Sequence, residues 1–180
     1  MKTKMLIFVF LLGITDLFAQ TLYVPGTIVK GKNASYYCSS ENEIFIKVNN
    51  VNNVDTTTTM YYDDGTALPS YKELGGTITT KTEDLVRVFQ EALTQEEIDI
   101  LKSKISYSLL LDIVADKQGN TLEITFSFRS NDPVMTKLDP DRLYQLEQNL
   151  KKILKLNPSK ADSSIKNMKY FLPISYKDLK

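Results

Sequence analysis

The sequence predicts an α+β protein, in which an antiparallel sheet carries helices on one face and is preceded by a β-rich N-terminal region. Residues 105–129 alternate apolar and polar side chains on both sides of one turn, which is typical of a β-hairpin with one buried face. Residues 80–105 and 139–155 repeat apolar residues at helical spacing. Residues 20–80 are rich in Tyr, Thr, Asn and Val, which favours short strands.

The first 19 residues have the plan of a secretory signal peptide. Lys2 and Lys4 precede an apolar run over residues 5–12, and Ala19 supplies the small residue at the cleavage point. The run is too short to span a membrane, which takes about 20 apolar residues. We therefore expect cleavage after Ala19, a mature chain without a membrane span, and a periplasmic or secreted location.

Composition excludes several classes of function. The 180 residues include 22 Lys and Arg, 22 Asp and Glu, one cysteine and no histidine. Loss of Lys2, Lys4 and Asp16 with the signal peptide leaves 20 basic against 21 acidic residues, which is not the basic surface of a nucleic-acid binder. The missing histidine rules out His-based catalysis and His metal ligands. We therefore predict no catalytic residue, no cofactor and no metal site.

Short strands and turns are predicted over the N-terminal region. Residues 44–48 alternate as one strand, and Asp64-Gly65 lies between strand-like flanks, a signal for a hairpin turn. Cys38 has strand-like neighbours, so we predict a buried side chain. A redox or intermolecular thiol is the alternative.

Residues 80–105 contain two helix start signals. Thr80 with Glu83, and Thr94 with Glu97, each have the spacing of a capping box. Apolar residues on one helical face follow each of them. The pattern predicts one helix, a tight turn and a second short helix.

The hairpin that follows turns at Asp116–Asn120, where Gly119 is free to adopt a positive φ. Its core face is predicted to consist of Ile105, Tyr107, Leu109, Leu111 and Ile113 on the first strand and Leu122, Ile124, Phe126 and Phe128 on the second.

The C-terminal region is predicted to form one helix and one strand. Asp139 and Pro140 are a helix cap and a first helical residue, and Lys151 belongs to a cluster of cations at the solvated end of this helix. Residues 168–176 alternate as a strand that contains Pro173. Because proline has no N–H, we predict an edge strand with the bare side of the proline facing outward.

Four landmarks of residues 105–176 carry a family resemblance. These are the Asp116–Leu122 turn, Leu138-Asp139-Pro140 at a helix start, Leu154–Pro158 at its end and Lys169–Ile174 in the last strand. In this order they resemble the C-terminal domain of TonB and its relatives. The resemblance implies a three-stranded antiparallel sheet with a covering helix, and partner binding by strand pairing at the sheet edge. The chain lacks that family's uncleaved anchor and proline-rich spacer, so energy transduction is not implied.

The signal ending Leu17–Gln20 and the general layout also resemble small secreted proteins of Bacteroidetes with no assigned function. We divide the chain into a signal peptide (1–19), a β-rich N-terminal region (20–80) and an α+β TonB-C-terminal-like domain (81–180). Whether the N-terminal region packs on the C-terminal sheet stays open at this point.

The functional hypothesis is an exported, non-catalytic binding module of the cell envelope, whose partner is a protein or peptide. The candidate partner-binding edge consists of Lys169, Tyr170, Phe171 and Leu172. One alternative is a hydrolase that uses carboxylates alone, with Glu96, Glu97 and Asp99 as the nearest group of acids. The other is a structural subunit of a surface complex.

Overall fold

The computed structural model describes residues 21–55, 59–69, 74–104 and 108–179. The predicted signal peptide lies outside these residues, as do Ile105 and Tyr107 of the predicted hairpin. Within the described ranges, no helix is long and apolar enough to cross a membrane.

Three α-helices and eight strands form the described part of the chain. The helices are α1 (Thr82–Ala92), α2 (Gln95–Ser103) and α3 (Pro140–Ile153). The strands are β1 (Ile28–Lys30), β2 (Ser35–Asn42), β3 (Phe45–Asn50), β4 (Thr77–Ile78), β5 (Ser108–Ala115), β6 (Thr121–Arg129), β7 (Leu156–Asn157) and β8 (Met168–Ser175). Short 3₁₀ turns cover Met135–Lys137, Lys160–Asp162 and Tyr176–Asp178.

The main sheet has six strands in the order β1-β2-β3-β6-β5-β8, and every neighbouring pair is antiparallel. The α+β class is confirmed, but the expected sheet of three strands is wrong. Strands β1 to β3 from the N-terminal region continue the sheet of the hairpin, because β3 pairs with β6 and places Val48 opposite Phe126. A pairing across more than 70 residues leaves no local signature in the sequence, whereas the hairpin does.

The core lies between one face of this sheet and the helices. It combines the inward-facing strand residues with apolar side chains of all three helices, among them Val88, Phe89, Ile98, Leu101, Leu143, Leu146 and Leu150. The helical stripes predicted from apolar spacing therefore face the sheet. Burial of this apolar surface is the main stabilising contribution, about 25 cal/mol per Å².

The hairpin of β5 and β6 has the predicted turn and one irregularity. Gly119 has φ +80°, and a Cβ there would collide with the Leu156 carbonyl oxygen, so only glycine fits. Val114 pairs with Glu123 while the next residue of β5 pairs with Thr121, so Leu122 is an extra residue in a β-bulge. Leu122 is exposed as a result, and its predicted place on the core face is wrong.

The predicted helix starts have different outcomes. Thr94 and Glu97 form the full capping box of α2, with the Thr94 N–H donating to Glu97 Oε2 at 2.7 Å. The Asp139 cap is confirmed too, since its carboxylate accepts from the Asp141 N–H at 2.8 Å. The first capping box is wrong: α1 begins at Thr82, and the Thr80 hydroxyl donates instead to the Ile153 carbonyl at 2.9 Å. A tertiary partner has replaced the local one.

Candidate functional site

The candidate site is the face of the main sheet that points away from the helices, here called the outer face. Side chains alternate between the two faces of a strand, so the register identifies its members. They include Ile28, Tyr37, Ser39, Phe45, Lys47, Asn49, Leu110, Asp112, Thr125, Ser127, Arg129, Phe171 and Pro173.

Polar groups occupy the middle of the outer face. Lys47 on β3 reaches across β6 to Asp112 on β5, with 2.9 Å between Nζ and Oδ2. Beside them, the Thr125 hydroxyl donates to Asn49 Oδ1 at 2.7 Å. The small Ser127 lies opposite Lys47 and leaves room for its side chain to cross.

Exposed apolar side chains lie toward both ends of the same face. Ile28 and Tyr37 are cross-strand neighbours on β1 and β2, with 54% and 45% of their surface exposed. Phe171 on β8, at the other end of the sheet, is 57% exposed. The Arg129 guanidinium lies 5.6 Å from the ring centre of Phe45, within the range of a cation–π contact. Large exposed aromatic side chains beside polar groups are typical of binding surfaces.

One end of the outer face is covered by the chain itself. The described residues 53–55 and 59–62, here called the crossing segment, run from the end of β3 toward β8. The Val54 N–H donates to Glu123 Oε1 at 2.9 Å, and Lys169 Nζ contacts Asp55 Oδ1 at 2.6 Å. Val114 lies between Glu123 and Lys169 on the outer face and is buried. The uncovered part of the outer face therefore begins at the next cross-strand pair on that face, Asp112 and Phe171.

The candidate partner-binding edge belongs to β8. This strand lies at the edge of the main sheet, as the presence of Pro173 led us to predict. The backbone N–H of Lys169 points away from β5 and contacts Met60 Sδ at 3.3 Å, so the crossing segment already occupies this position. By alternation the next outward N–H is that of Phe171, and Pro173 has none. Tyr170 and Leu172 direct their side chains toward the core side instead. Partner binding at Lys169–Leu172 stays a prediction, and little of this edge is open to a strand.

The three acids of the hydrolase alternative do not form a pair around a common cleft. Glu97 belongs to the α2 capping box and accepts two hydrogen bonds from Arg142, at 2.9 and 2.5 Å. The hydrogen bonds from Arg142 hold the pKa of Glu97 below its ordinary value. Asp99 accepts from Gln95 on the exposed side of the same helix, and Glu96 is exposed. These contacts stabilise the start of α2 and its exposed surface.

Three buried carboxylates of the described residues were not predicted: Glu147, Asp132 and Asp162. Glu147 on α3 is fully buried and accepts hydrogen bonds from the Tyr36 hydroxyl at 2.8 Å and Asn50 Nδ2 at 3.0 Å, while Lys151 Nζ lies 2.6 Å from its other oxygen. Burial raises the pKa of Tyr36, and the Glu147 charge adds to this effect. The cluster ties α3 to β2 and β3 within the core.

Asp132 is the second buried carboxylate. It accepts hydrogen bonds from the N–H groups of Val134 and Met135, at 3.0 and 2.8 Å, and from the Tyr176 hydroxyl at 2.8 Å. Burial raises the pKa of Asp132 despite these hydrogen bonds. This contact fastens the end of β8 to the loop before α3. The sequence contains a local signal for this contact. An aspartate often accepts hydrogen bonds from the backbone N–H groups two and three residues after it, as Asp132 does here.

Cys38 is fully buried in the core, as predicted. Burial raises the pKa of its thiol to about 11, which keeps it protonated at neutral pH. In the described part of the chain, no group of three or more Cys, Asp or Glu residues is placed to hold a metal ion.

The fold has a counterpart among solved structures. No protein-family model matches the sequence, and no curated protein is significantly similar to it. The chain is similar in structure to a DUF5043 family protein from Bacteroides uniformis, with a TM-score of 0.67 over 88% of this chain and 95% of that chain. The two sequences are 15% identical, so the similarity concerns the fold.

This neighbour and the six-stranded sheet do not support the TonB C-terminal-like fold. The landmarks behind that resemblance, a glycine turn and an Asp-Pro helix start, serve any hairpin followed by a helix. The other resemblance, to Bacteroidetes proteins of no assigned function, agrees with the source of the neighbour.

Proposed function

We propose that this protein is an exported, non-catalytic binding module that contacts a protein or peptide partner through the outer face of its sheet. The observation that carries the proposal is the separation of the two sheet faces. The helices and the core take one face, while the open part of the other exposes Tyr37 and Phe171 around the Lys47–Asp112 pair. Export rests on the signal-peptide pattern of residues 1–19.

The outer face suits reversible binding better than catalysis. Its central charges are paired and half exposed, so they are not the isolated, desolvated groups that acid–base catalysis uses. Its aromatic side chains supply apolar contact area at small entropic cost. An exposed face of this kind, held on a rigid sheet, binds a partner without rearranging the fold.

A photo-crosslinking pair tests the proposal. A photoreactive amino acid replaces Ser127, in the middle of the outer face, or Lys152, which is exposed on α3. In the exporting cell we expect a discrete adduct from position 127 and none from position 152. Changing Tyr37→Ser and Phe171→Ser together should abolish the adduct while the thermal unfolding of the protein stays unchanged. Equal adducts at both positions, or none at position 127, would contradict the proposal.

A further inference from the structure

The edge of β1 differs from the edge of β8. Of the described strands, β1 pairs only with β2, so its second side carries unpaired backbone groups. Gly31 N–H donates to the Ala34 carbonyl and Cys38 N–H to the Thr27 carbonyl, so residues 27, 29 and 31 face β2. By the alternation of an antiparallel ladder, Ile28 and Lys30 direct their N–H and C=O groups outward.

Side chains beside this edge add apolar surface and positive charge. Ile28 and Tyr37 form an exposed apolar pair on the outer face, directly next to the open edge. Lys30 follows on the same strand, and Lys32 lies in the turn to β2, with both side chains exposed. An incoming strand would therefore meet two main-chain hydrogen-bonding positions, one apolar contact and two cations.

We infer that β1 accepts an extended acidic segment of the partner as a seventh strand, paired with the outward backbone groups of Ile28 and Lys30. The inference rests on the proposed function and names the chemistry of its partner. Main-chain hydrogen bonds provide affinity in strand addition, and the side chains select the sequence. An apolar residue of the added strand packs beside Ile28 and Tyr37, while acidic residues lie near Lys30 and Lys32.

The same charges disfavour a second copy of this chain as the occupant. Antiparallel pairing of two β1 strands about Val29 would place Lys30 of each copy against Ile28 of the other, so no lysine would meet an opposite charge. Lysine on an edge strand is a common protection against such self-pairing. Opposite charge selects for an acidic partner by the same interaction.

The synthetic heptapeptides Thr-Glu-Thr-Glu-Thr-Val-Thr and Thr-Lys-Thr-Lys-Thr-Val-Thr provide the test. Antiparallel pairing can place their valine beside Ile28 and their two charged residues near Lys30 and Lys32, because these three peptide residues share one face of the added strand. With the mature protein, the acidic peptide should slow hydrogen exchange of the Ile28 and Lys30 amides about tenfold or more. The lysine peptide should have no effect. Lys30→Glu leaves Lys32 beside a new carboxylate and should abolish this preference, whereas Lys177→Glu, an equal charge change on the 3₁₀ turn after β8, should not.

Ile28→Pro removes one outward N–H and should abolish binding of the acidic peptide without changing the thermal unfolding of the protein. Unchanged exchange at Ile28 and Lys30, or protection confined to β8, would overturn the inference. Equal binding of both peptides would overturn its charge selectivity and with it the stated partner. None of these results depends on the adduct at position 127, so failure here is distinguishable from failure of the proposed function.

Discussion

Lys47 on β3 and Asp112 on β5 form an ion pair that spans the strand between them, with 2.9 Å between Nζ and Oδ2. The intervening β6 permits this because it presents Thr125 and Ser127, two small side chains, at that point. The two side chains keep 30% and 46% of their surface exposed. Water therefore screens the attraction, and the pair belongs to the surface rather than to the core.

A double-mutant cycle on this pair should show a weak coupling. Lys47→Ala, Asp112→Ala and the double variant should give a coupling energy of about 0.5 kcal/mol that decreases as salt is added. Urea unfolding at low and high ionic strength measures it. A coupling of several kcal/mol would show that the outer face is less hydrated than its exposure indicates.

Replacement of Lys151 by aspartate should lower the stability of the protein far more than the same replacement of its neighbour Lys152. The sequence alone places both at a solvated helix end, but Lys151 lies 2.6 Å from the fully buried Glu147 carboxylate. Lys151→Asp should destabilise the protein by about 3–5 kcal/mol, because it puts a second negative charge beside a buried one. The exposed Lys152→Asp is the control and should change stability by about 0.5 kcal/mol or less. Equal urea midpoints for the two variants would contradict the role of Lys151.

A charge on the core stripe of α3 provides the reference for a large effect. Leu150 is fully buried, so Leu150→Asp should destabilise by several kcal/mol through desolvation of the new carboxylate. Urea unfolding under the same conditions as for the two lysine variants allows the three losses of stability to be compared directly. A small loss of stability in the Leu150→Asp variant would mean that the apolar side of α3 does not face the sheet.

Asp132 should make a pH-dependent contribution of unusual sign. Burial raises its pKa in the folded state. Its contribution to stability is therefore fully present below the unfolded-state pKa of about 3.9, and it decreases as the pH rises through the folded-state pKa. Asp132→Asn cannot titrate, so its stability relative to wild type should improve between about pH 4 and pH 7.

Urea midpoints of the Asp132→Asn variant across this pH range provide the measurement. Asp99→Asn, on the exposed side of α2, subtracts the effect of removing one negative charge. A difference from wild type that stays constant with pH would show that Asp132 has the same pKa in the folded and unfolded states.

Pro173→Val should increase self-association without loss of the fold. The proline lies opposite Leu110 on the edge strand, and valine would add an outward N–H next to that of Phe171. Sedimentation of wild type and variant at several concentrations detects the change. A variant that unfolds would speak against the edge position, and one that stays monomeric would speak against a protective role of the proline.

The mature protein should begin at Gln20. Ala19 follows the apolar run at the usual distance for signal cleavage, and the cysteine that lipid attachment requires is absent from the cleavage site. The intact mass of protein recovered from an exporting host decides this. A mass that includes residues 1–19, or an attached lipid, would contradict the export model.

Local sequence signals predicted local structure well. The Thr94–Glu97 capping box, the Asp139 helix cap and the Gly119 turn each depend on contacts within a few residues. Where a longer-range contact competes, the local signal failed. The Thr80 hydroxyl bonds to the end of α3 rather than to its own helix, and the bulge at Leu122 shifts a regular alternation.

The candidate site was only partly visible in the sequence. Alternation placed Asp112 on the wet side of its strand, but its partner Lys47 comes from a strand more than 60 residues earlier. That neighbourhood exists because β3 pairs with β6, which no periodicity or motif encodes. The outer face is therefore a product of topology rather than of any one segment.

The strand order also determines how late in synthesis the main sheet can be completed. The meander of β1, β2 and β3 is finished by Asn50, yet the partner of β3 begins only at Thr121. Until some 70 further residues have emerged, β3 has an unpaired side and its Ile46 and Val48 lack the core that later covers them. Such an emerging chain is open to non-native strand pairing. The side of β3 that later pairs with β6 is therefore the part of the chain most exposed to mispairing before synthesis is complete.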